Sequence, residues 1–218
     1  MTNQPSWRFV LFAAVLSATQ LPVSHAVAAG VVDQIKSSQT LRIAYREDAG
    51  PFSSKGANDG EPSGYMVNLC RSVAKKLAGQ FGVANLKVTY VPVSAANRFD
   101  AIKNGQADLL CEATSATLAR RAQVDFSIAT FIDGASVLTT DETIGDLKAL
   151  DGKTVGVLTG TTTEDALRGG LKTAGVSAQI VPVKTHAEGI AMLDDGKLTA
   201  YFADRSILLS LLKASCLM

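Results

Sequence analysis

The sequence has few of the residues that build metal centres and no large excess of charge of one sign. Among its 218 residues there are three cysteines and two histidines, and the formal net charge is +1. No C-x-x-C pair occurs among Cys70, Cys111 and Cys216, and His25 and His186 complete no zinc ligand set. A protein that binds a nucleic-acid backbone needs a concentrated basic face, and the interspersed acids and bases of this sequence do not supply one. We therefore expect no metal, no other cofactor and no nucleic-acid partner.

Long apolar runs are also lacking, apart from one short run near the N-terminus. Arg8 precedes the apolar residues 9–18 (FVLFAAVLSA), Pro22 follows them, and small residues come next at Ala26, Ala28 and Ala29. A membrane-spanning helix needs about 20 apolar residues, so this run is too short for an anchor. The order of charge, apolar core and small residues predicts a signal peptide over residues 1–29. We therefore expect a soluble protein outside the cytoplasm.

Predicted strands and helices alternate along the rest of the chain. Segments rich in β-branched and apolar residues predict strands at 41–45, 86–93, 107–111, 154–158, 178–183 and 198–203. Apolar residues at helical spacing predict helices at about 66–77, 96–103, 163–173 and 187–193. This alternation is typical of α/β proteins built from parallel β-α-β units.

An internal repeat divides the chain into two halves. The segment VPVSAANRFDAIKNGQADLLCEA begins at Val91, and VPVKTHAEGIAMLDDGKLTAYFAD begins at Val181. We interpret the halves as two lobes of one topology, lobe 1 at 30–137 and lobe 2 at 138–218, with a link near 135–140. Ligands of open α/β sheets bind beyond the carboxyl ends of the strands, so the site is expected in a cleft between the lobes.

Charged and hydroxyl side chains recur just after the predicted strands. They are Arg46, Arg98, Ser115 and Arg120 in the first half, and Thr162, His186 and Asp204 in the second. Each alone has an ordinary explanation, such as a solvated arginine or a helix cap. Together they offer guanidinium and N–H donors for a carboxylate and an acid for an ammonium group. This combination favours an amino-acid ligand.

With these residues, the chain resembles the family 3 solute-binding proteins of amino-acid ABC transporters, especially the glutamate/aspartate-binding members. The motifs that carry the resemblance, between Val31 and Ile207, are LRIAYREDAGPFS, PVSAANRFDAIKNGQADLLCEATSATLARR, VDFSIATF and VGVLTGTTTEDAL. The resemblance implies a two-lobed fold of type II, each lobe a mostly parallel sheet flanked by helices. It also implies a periplasmic monomer that delivers an amino acid to a membrane permease and catalyses nothing.

The resemblance assigns a role to each residue that would hold the ligand's backbone. Arg120 corresponds to the arginine that clamps the α-carboxylate, and Thr162 would bind the same group from the second lobe. Ser115 would offer its hydroxyl, and Ala113 its backbone carbonyl, toward the ammonium group. Asp204 would hold the ammonium group from the facing wall.

Three further positions, Arg46, Arg98 and His186, match those around the side-chain carboxylate in binders of acidic amino acids. They imply a preference for glutamate or aspartate. Two departures bear on this preference. Ala95 stands where a serine can occur, and Glu112 stands where a glycine is usual, so that its carboxylate would oppose an anionic ligand if it faced the cleft.

The last residues, SILLSLLKASCLM, depart from the family pattern after the strand predicted at 198–203. Family members continue and cross back to the first lobe. The resemblance therefore implies a C-terminally truncated chain with an incomplete second lobe and return crossover, and we expect weak or no binding. For Cys70 and Cys111, a disulfide in an oxidising compartment and two buried thiols remain equal alternatives.

Two other functions fit the same fold. An enzyme resembling periplasmic cyclohexadienyl dehydratases would need an acid or base in the cleft, for which Glu112, Asp204 and His186 are the candidates. There is no G-x-S-x-G motif, and the DGKT segment at 151–154 lacks the leading glycine of a phosphate-binding loop. A sensor input domain is the other alternative, but it requires attachment to a signalling chain.

Overall fold

The computed structural model describes residues 30–56 and 60–215, so the predicted signal peptide and Cys216 lie outside the described residues. The first part of the chain forms helices α1 (Val31–Ser38), α2 (Tyr65–Phe81), α3 (Arg98–Lys103) and α4 (Leu118–Arg121). Its strands are β1 (Thr40–Arg46), β2 (Asp48–Ala49), β3 (Ser53–Ser54), β4 (Lys87–Val93) and β5 (Leu109–Leu110).

The second part has four strands and three helices. The strands are β6 (Ala135–Thr139), β7 (Thr154–Leu158), β8 (Gln179–Val183) and β9 (Ala200–Asp204). The helices are α5 (Thr162–Ala174), α6 (His186–Asp194) and α7 (Arg205–Ser215), and a 3-10 turn at Lys148–Leu150 precedes β7. Each predicted strand and helix therefore has a counterpart, within a few residues at its ends.

The first lobe is built on a parallel sheet with strand order β4-β1-β5. Its central strand β1 is buried, with Leu41 and Ile43 fully inaccessible to solvent. Helix α2 covers one face of the sheet, and Cys70 of this helix forms a disulfide with Cys111, just after β5. Because all three strands run in one direction, their carboxyl ends lie at one edge of the sheet.

The second lobe has a sheet with strand order β6-β9-β7-β8. Strands β7, β8 and β9 are parallel, whereas β6 runs antiparallel to β9, with Ala135 opposite Asp204. The predicted link near 135–140 is therefore largely a strand of the second sheet, and the predicted lobe boundary at 137/138 falls inside it. The sequence did not reveal this because the partner of β6 lies more than 60 residues later in the chain.

Helix α7, which the sequence analysis did not predict, joins the two lobes. Its residue Ile207 packs against Ala49 and Phe52 of the first lobe, and Leu208 belongs to the core of the second lobe. The opposite side of the helix is open, since Leu209 is 51% exposed and Leu212 is 42% exposed. The described part of the chain contains no helix that is both long and apolar enough to cross a membrane.

Candidate ligand-binding site

The structure brings all eight residues predicted for the site around one small space between the lobes. They are Arg46, Arg98, Ala113, Ser115, Arg120, Thr162, His186 and Asp204, joined there by Thr161 and Thr163. Each lies at or just after the carboxyl end of a strand, or on the helix that follows it, which is where open α/β sheets bind their ligands. The space has a volume of about 10 Å³, roughly that of a single water molecule.

The lobes contact each other directly across this space. The Ser115 and Thr162 hydroxyl oxygens are 3.1 Å apart and share a hydrogen bond. Arg98 Nη2 donates to the Gly160 carbonyl at 3.1 Å, and Arg120 Nη2 donates to the same oxygen at 3.3 Å. Donors of the first lobe are thus satisfied by the second lobe, and the molecule is closed.

A larger cavity of about 130 Å³ adjoins the small space. The two share Ala113, Ser115 and Asp204 in their walls. The remaining walls of the cavity are Phe52, Met66, Glu112, Thr114, Thr130, Phe131 and Asp133. The Phe52 and Phe131 rings pack edge to face, with centroids 4.9 Å apart. Asp204 therefore faces both an arginine-rich space and a cavity with an aromatic wall.

Arg120 is held where an anion could reach it. Its backbone N–H is accepted by the Thr117 hydroxyl at the start of α4, and its Nη1 donates to the Ser115 carbonyl at 3.1 Å. Its guanidinium carbon lies 5.4 Å from the centre of the Phe99 ring. Burial lowers the pKa of Arg120, and the nearby Glu112 carboxyl opposes this shift.

The start of α5 faces Arg120 from the second lobe. Thr161 is its N-cap, accepting the Glu164 N–H at 3.2 Å, while the Glu164 carboxylate accepts the Gly160 N–H at 3.0 Å. The cap of α5 is therefore Thr161 and not Thr162. This leaves the Thr162 hydroxyl directed at Ser115, and the first N–H groups of a helix attract anions.

Asp204 ends β9 and provides the acid of the second lobe. Burial raises the pKa of Asp204, as does the neighbouring Asp133, while Arg46 and Arg120 lower it. An ionised carboxylate in this position would attract an ammonium group. Ala113 of the facing lobe lines the same space.

Arg46 and Arg98 are buried, at 3% and 2% exposure, and both already face acids. Arg46 donates to Asp48 Oδ1 from Nε at 3.0 Å and from Nη2 at 2.7 Å, and its Nη1 lies 3.9 Å from Glu112 Oε2. Arg98 Nε lies 3.5 Å from Glu112 Oε1, and its Nη1 donates to the Ala95 carbonyl. The sequence analysis noted Glu112 as a departure and did not predict Asp48.

His186 is buried between Tyr201 and Asp48. Its Nδ1 is 2.8 Å from the Tyr201 hydroxyl, and its backbone N–H donates to Asp48 Oδ2 at 3.2 Å. Burial, helped by Arg46, lowers the pKa of His186 to about 4, so the ring is neutral at pH 7. Among the described residues its Nε2 has no hydrogen-bond partner. Tyr201 was missed because a tyrosine inside an apolar strand is indistinguishable from a core residue by sequence.

Two parallel-stranded α/β lobes of matching topology, with polar side chains meeting between them, define the type II fold of periplasmic binding proteins. The predicted fold class is confirmed. The structure resembles that of the ancestral amino acid-binding protein AncCDT-1, a precursor of cyclohexadienyl dehydratase, with a TM-score of 0.75 and 27% identity. The match covers 85% of this chain and 80% of that one.

The sequence was also compared with those of known proteins. The model of the bacterial extracellular solute-binding proteins, family 3, matches residues 41–144 of this chain. It is 32% identical over 199 residues to the L-glutamate/L-aspartate-binding protein of Pseudomonas aeruginosa, a match that covers 91% of this chain and 65% of the relative. It is 29% identical over 182 residues to the glutamate/aspartate import solute-binding protein of Salmonella typhimurium, covering 83% and 60%. The chain thus spans between 60% and 65% of the length of these two relatives.

Proposed function

We propose that this protein is a periplasmic solute-binding protein that captures an amino acid between its lobes for an ABC permease, with glutamate or aspartate favoured. The observation that carries the proposal is that Arg120 of the first lobe and Asp204 of the second line the same interlobe space. A cation and an acid on facing walls match the two charges of an amino-acid zwitterion. We propose no catalytic role.

The proposed ligand would bridge the lobes. Its α-carboxylate would accept hydrogen bonds from Arg120 and from the start of α5, and its ammonium group would donate to Asp204 and to the Ala113 carbonyl. A ligand that contacts both lobes favours the closed form over the open one, because its binding energy is realised only when the lobes meet. The closed form would then be the one that the permease recognises.

The closed contacts would have to open before a ligand enters. The space between Ser115 and Thr162 is too small for an amino acid, and Arg98 and Arg120 hold the Gly160 carbonyl. We expect the lobes to separate at these contacts and to close again around the ligand, with ligand oxygens replacing the Gly160 carbonyl as the acceptor for the arginines.

Three donors support an acidic ligand: Arg46, Arg98 and the buried His186 stand beside the Arg120 position. Both relatives described above are named for glutamate and aspartate, at about 30% identity. The buried Glu112 acts in the opposite direction, because its carboxylate would repel an anionic side chain.

The test is a binding screen of the chain without residues 1–29 against the twenty amino acids, by calorimetry and thermal unfolding at ligand concentrations up to the millimolar range. Hydrogen bonds to charged groups are worth about 1.5–3 kcal/mol, so Arg120→Met and Asp204→Asn should each weaken binding by at least about tenfold. Arg121→Met is the matched control, since Arg121 is an exposed neighbour on the same helix. Binding that survives both site substitutions unchanged would disprove the proposed site.

A further inference from the structure

A buried carboxylate lies between the two arginines expected to receive the ligand's side chain. Glu112 follows Cys111, which the disulfide ties to α2, and its side chain is 0% exposed. Its oxygens lie 3.9 Å from Arg46 Nη1 and 3.5 Å from Arg98 Nε. Among the described residues neither oxygen accepts a hydrogen bond. Burying a carboxylate without hydrogen bonds costs free energy unless nearby opposite charges compensate it.

Charged and titratable groups of both lobes surround Glu112, and Asp165 of α5 acts on the neighbouring Arg120. The groups are Arg46 of β1, Asp48 of β2, Arg98 of α3, Arg120 of α4 and His186 of α6, with Asp204 of β9 and Asp133 along the adjoining cavity. The three arginines thus face four carboxyl groups, those of Glu112, Asp48, Asp204 and Asp133, before a ligand enters. Burial raises the pKa of Glu112, against the lowering effect of Arg46, Arg98 and Arg120.

An acidic ligand would add a further carboxylate to this set, beside that of Glu112. Its side chain would lie against Arg46 and Arg98 in the small space, which Glu112 does not line. Two carboxylates would then share the same guanidinium groups. Two carboxylates in one site cannot both stay ionised without a large cost, and the buried one takes up a proton more readily. A ligand with an amide in place of the second carboxylate adds no charge and requires no proton.

We propose, on the basis of the proposed function, that Glu112 determines how the site accepts a side chain: an acidic amino acid binds together with one proton on Glu112, and a neutral amino acid binds without one. The proton comes from solvent, so glutamate binding consumes one proton. Glutamine, which has the same shape, binds at the same Arg120 and Asp204 positions with no change in protonation.

The comparison of glutamate with glutamine isolates this effect. Free glutamate keeps its side chain ionised above about pH 5.5, because the carboxyl pKa is about 4.3. His186, with its pKa lowered to about 4, also keeps one charge state there. Protonation of Asp204 or Asp133 would change the affinity for both ligands alike, because both carry the same ammonium group. A difference in pH dependence between glutamate and glutamine binding is therefore caused by the side-chain carboxylate of glutamate.

The experiment measures both dissociation constants between about pH 5.5 and 8 for the chain without residues 1–29, for Glu112→Gln and for the control Glu142→Gln. Glu142 is an exposed glutamate in the segment after β6. For the unsubstituted chain and the control, we expect glutamate to bind up to about tenfold more tightly per unit decrease in pH, with a flat profile for glutamine. Glu112→Gln should bind glutamate more tightly at pH 8 and lose the pH dependence. Calorimetry in two buffers of different ionisation enthalpy should count one proton taken up with glutamate and none in Glu112→Gln.

The possible failures are distinguishable. Parallel pH profiles for the two ligands, or a glutamate profile that Glu112→Gln leaves unchanged, would overturn the role of Glu112 while leaving the binding function intact. Binding of other amino acids without any binding of glutamate would do the same. If no amino acid binds to either folded protein at concentrations up to the millimolar range, where weak binding is still detected, the proposed function itself fails. Should Glu112→Gln not fold, the two pH profiles and the proton count of the unsubstituted chain decide the question by themselves.

Discussion

The Cys70–Cys111 disulfide should provide a large part of the stability of the first lobe. The perturbation is the double substitution Cys70→Ala and Cys111→Ala, made in a chain in which Cys216 is replaced by serine to prevent exchange between thiols. The bond joins residues 41 positions apart. In the chain-entropy model a closed loop of this size reduces the freedom of the unfolded chain by an amount worth about 4 kcal/mol at 25 °C.

The surroundings of the bond add to this value. Cys70 and Cys111 are buried in one cluster with Ile35, Leu41 and Ile43, so the missing sulfur atoms also remove packing contacts. The expected loss is therefore about 4 kcal/mol or more, against a total unfolding free energy of about 5–15 kcal/mol for a typical domain. The double variant should be close to unfolded at room temperature or should unfold at low urea concentration.

The assay is urea unfolding followed by far-ultraviolet circular dichroism. Tryptophan fluorescence is unsuitable, because the single tryptophan, Trp7, lies within the predicted signal peptide. The Cys216→Ser chain is the reference, measured with and without a reducing agent. The reductant should lower its stability toward that of the double variant and should not affect the double variant. A loss below about 1 kcal/mol would refute the reasoning, since it would show that the unfolded chain gains little freedom when the loop opens.

Two other predictions concern single buried groups. The pKa of His186 is lowered to about 4, so the unfolded chain takes up a proton there before the folded protein does. Acidification from about pH 6.5 to 4 should therefore lower the unfolding free energy by up to about 3 kcal/mol, and His186→Gln should lack this part of the pH dependence in urea titrations. An equal change of unfolding free energy with pH in both proteins would contradict a buried neutral histidine. Asp108, 2% exposed in its side chain, accepts the Arg42 backbone N–H at 2.8 Å and pairs with its guanidinium at 2.6 Å. Asp108→Asn should therefore lower stability by about 2 kcal/mol, whereas Asp195→Asn, in an exposed pair with Lys197, should change it by less than about 1 kcal/mol. Similar losses in these two variants would show that burial of Asp108 does not matter.

Local patterns of the sequence were sufficient for the α/β architecture. Strands such as β7 are short apolar runs that end in a glycine-containing turn, and the N-cap of α5 is a threonine with a glutamate three residues later. These signals depend on neighbouring residues only, because strand propensity and helix capping act over a few residues. The repeat of this pattern in two halves was enough to predict two lobes and to direct attention to the strand ends.

Pairing across the fold was beyond the reach of such patterns. Strand β6 finds its place only by pairing with β9, and α7 covers Ala49 and Phe52 from a position far along the chain. The choice between a disulfide and two thiols likewise depends on the distance between α2 and the end of β5. These are contacts between distant segments, and a single sequence contains no local signal for them.

The sequence by itself determined the types of residue at the site, since the order of strands places Arg120 and Asp204 after strands of different lobes. Only the tertiary structure decided their charge environment. It buried Glu112 between Arg46 and Arg98 and removed solvent from His186, and both effects depend on burial and on distances of a few ångströms. Electrostatic energy changes steeply with distance and with exposure to water, so identical residue types can bind an anion or neutralise each other.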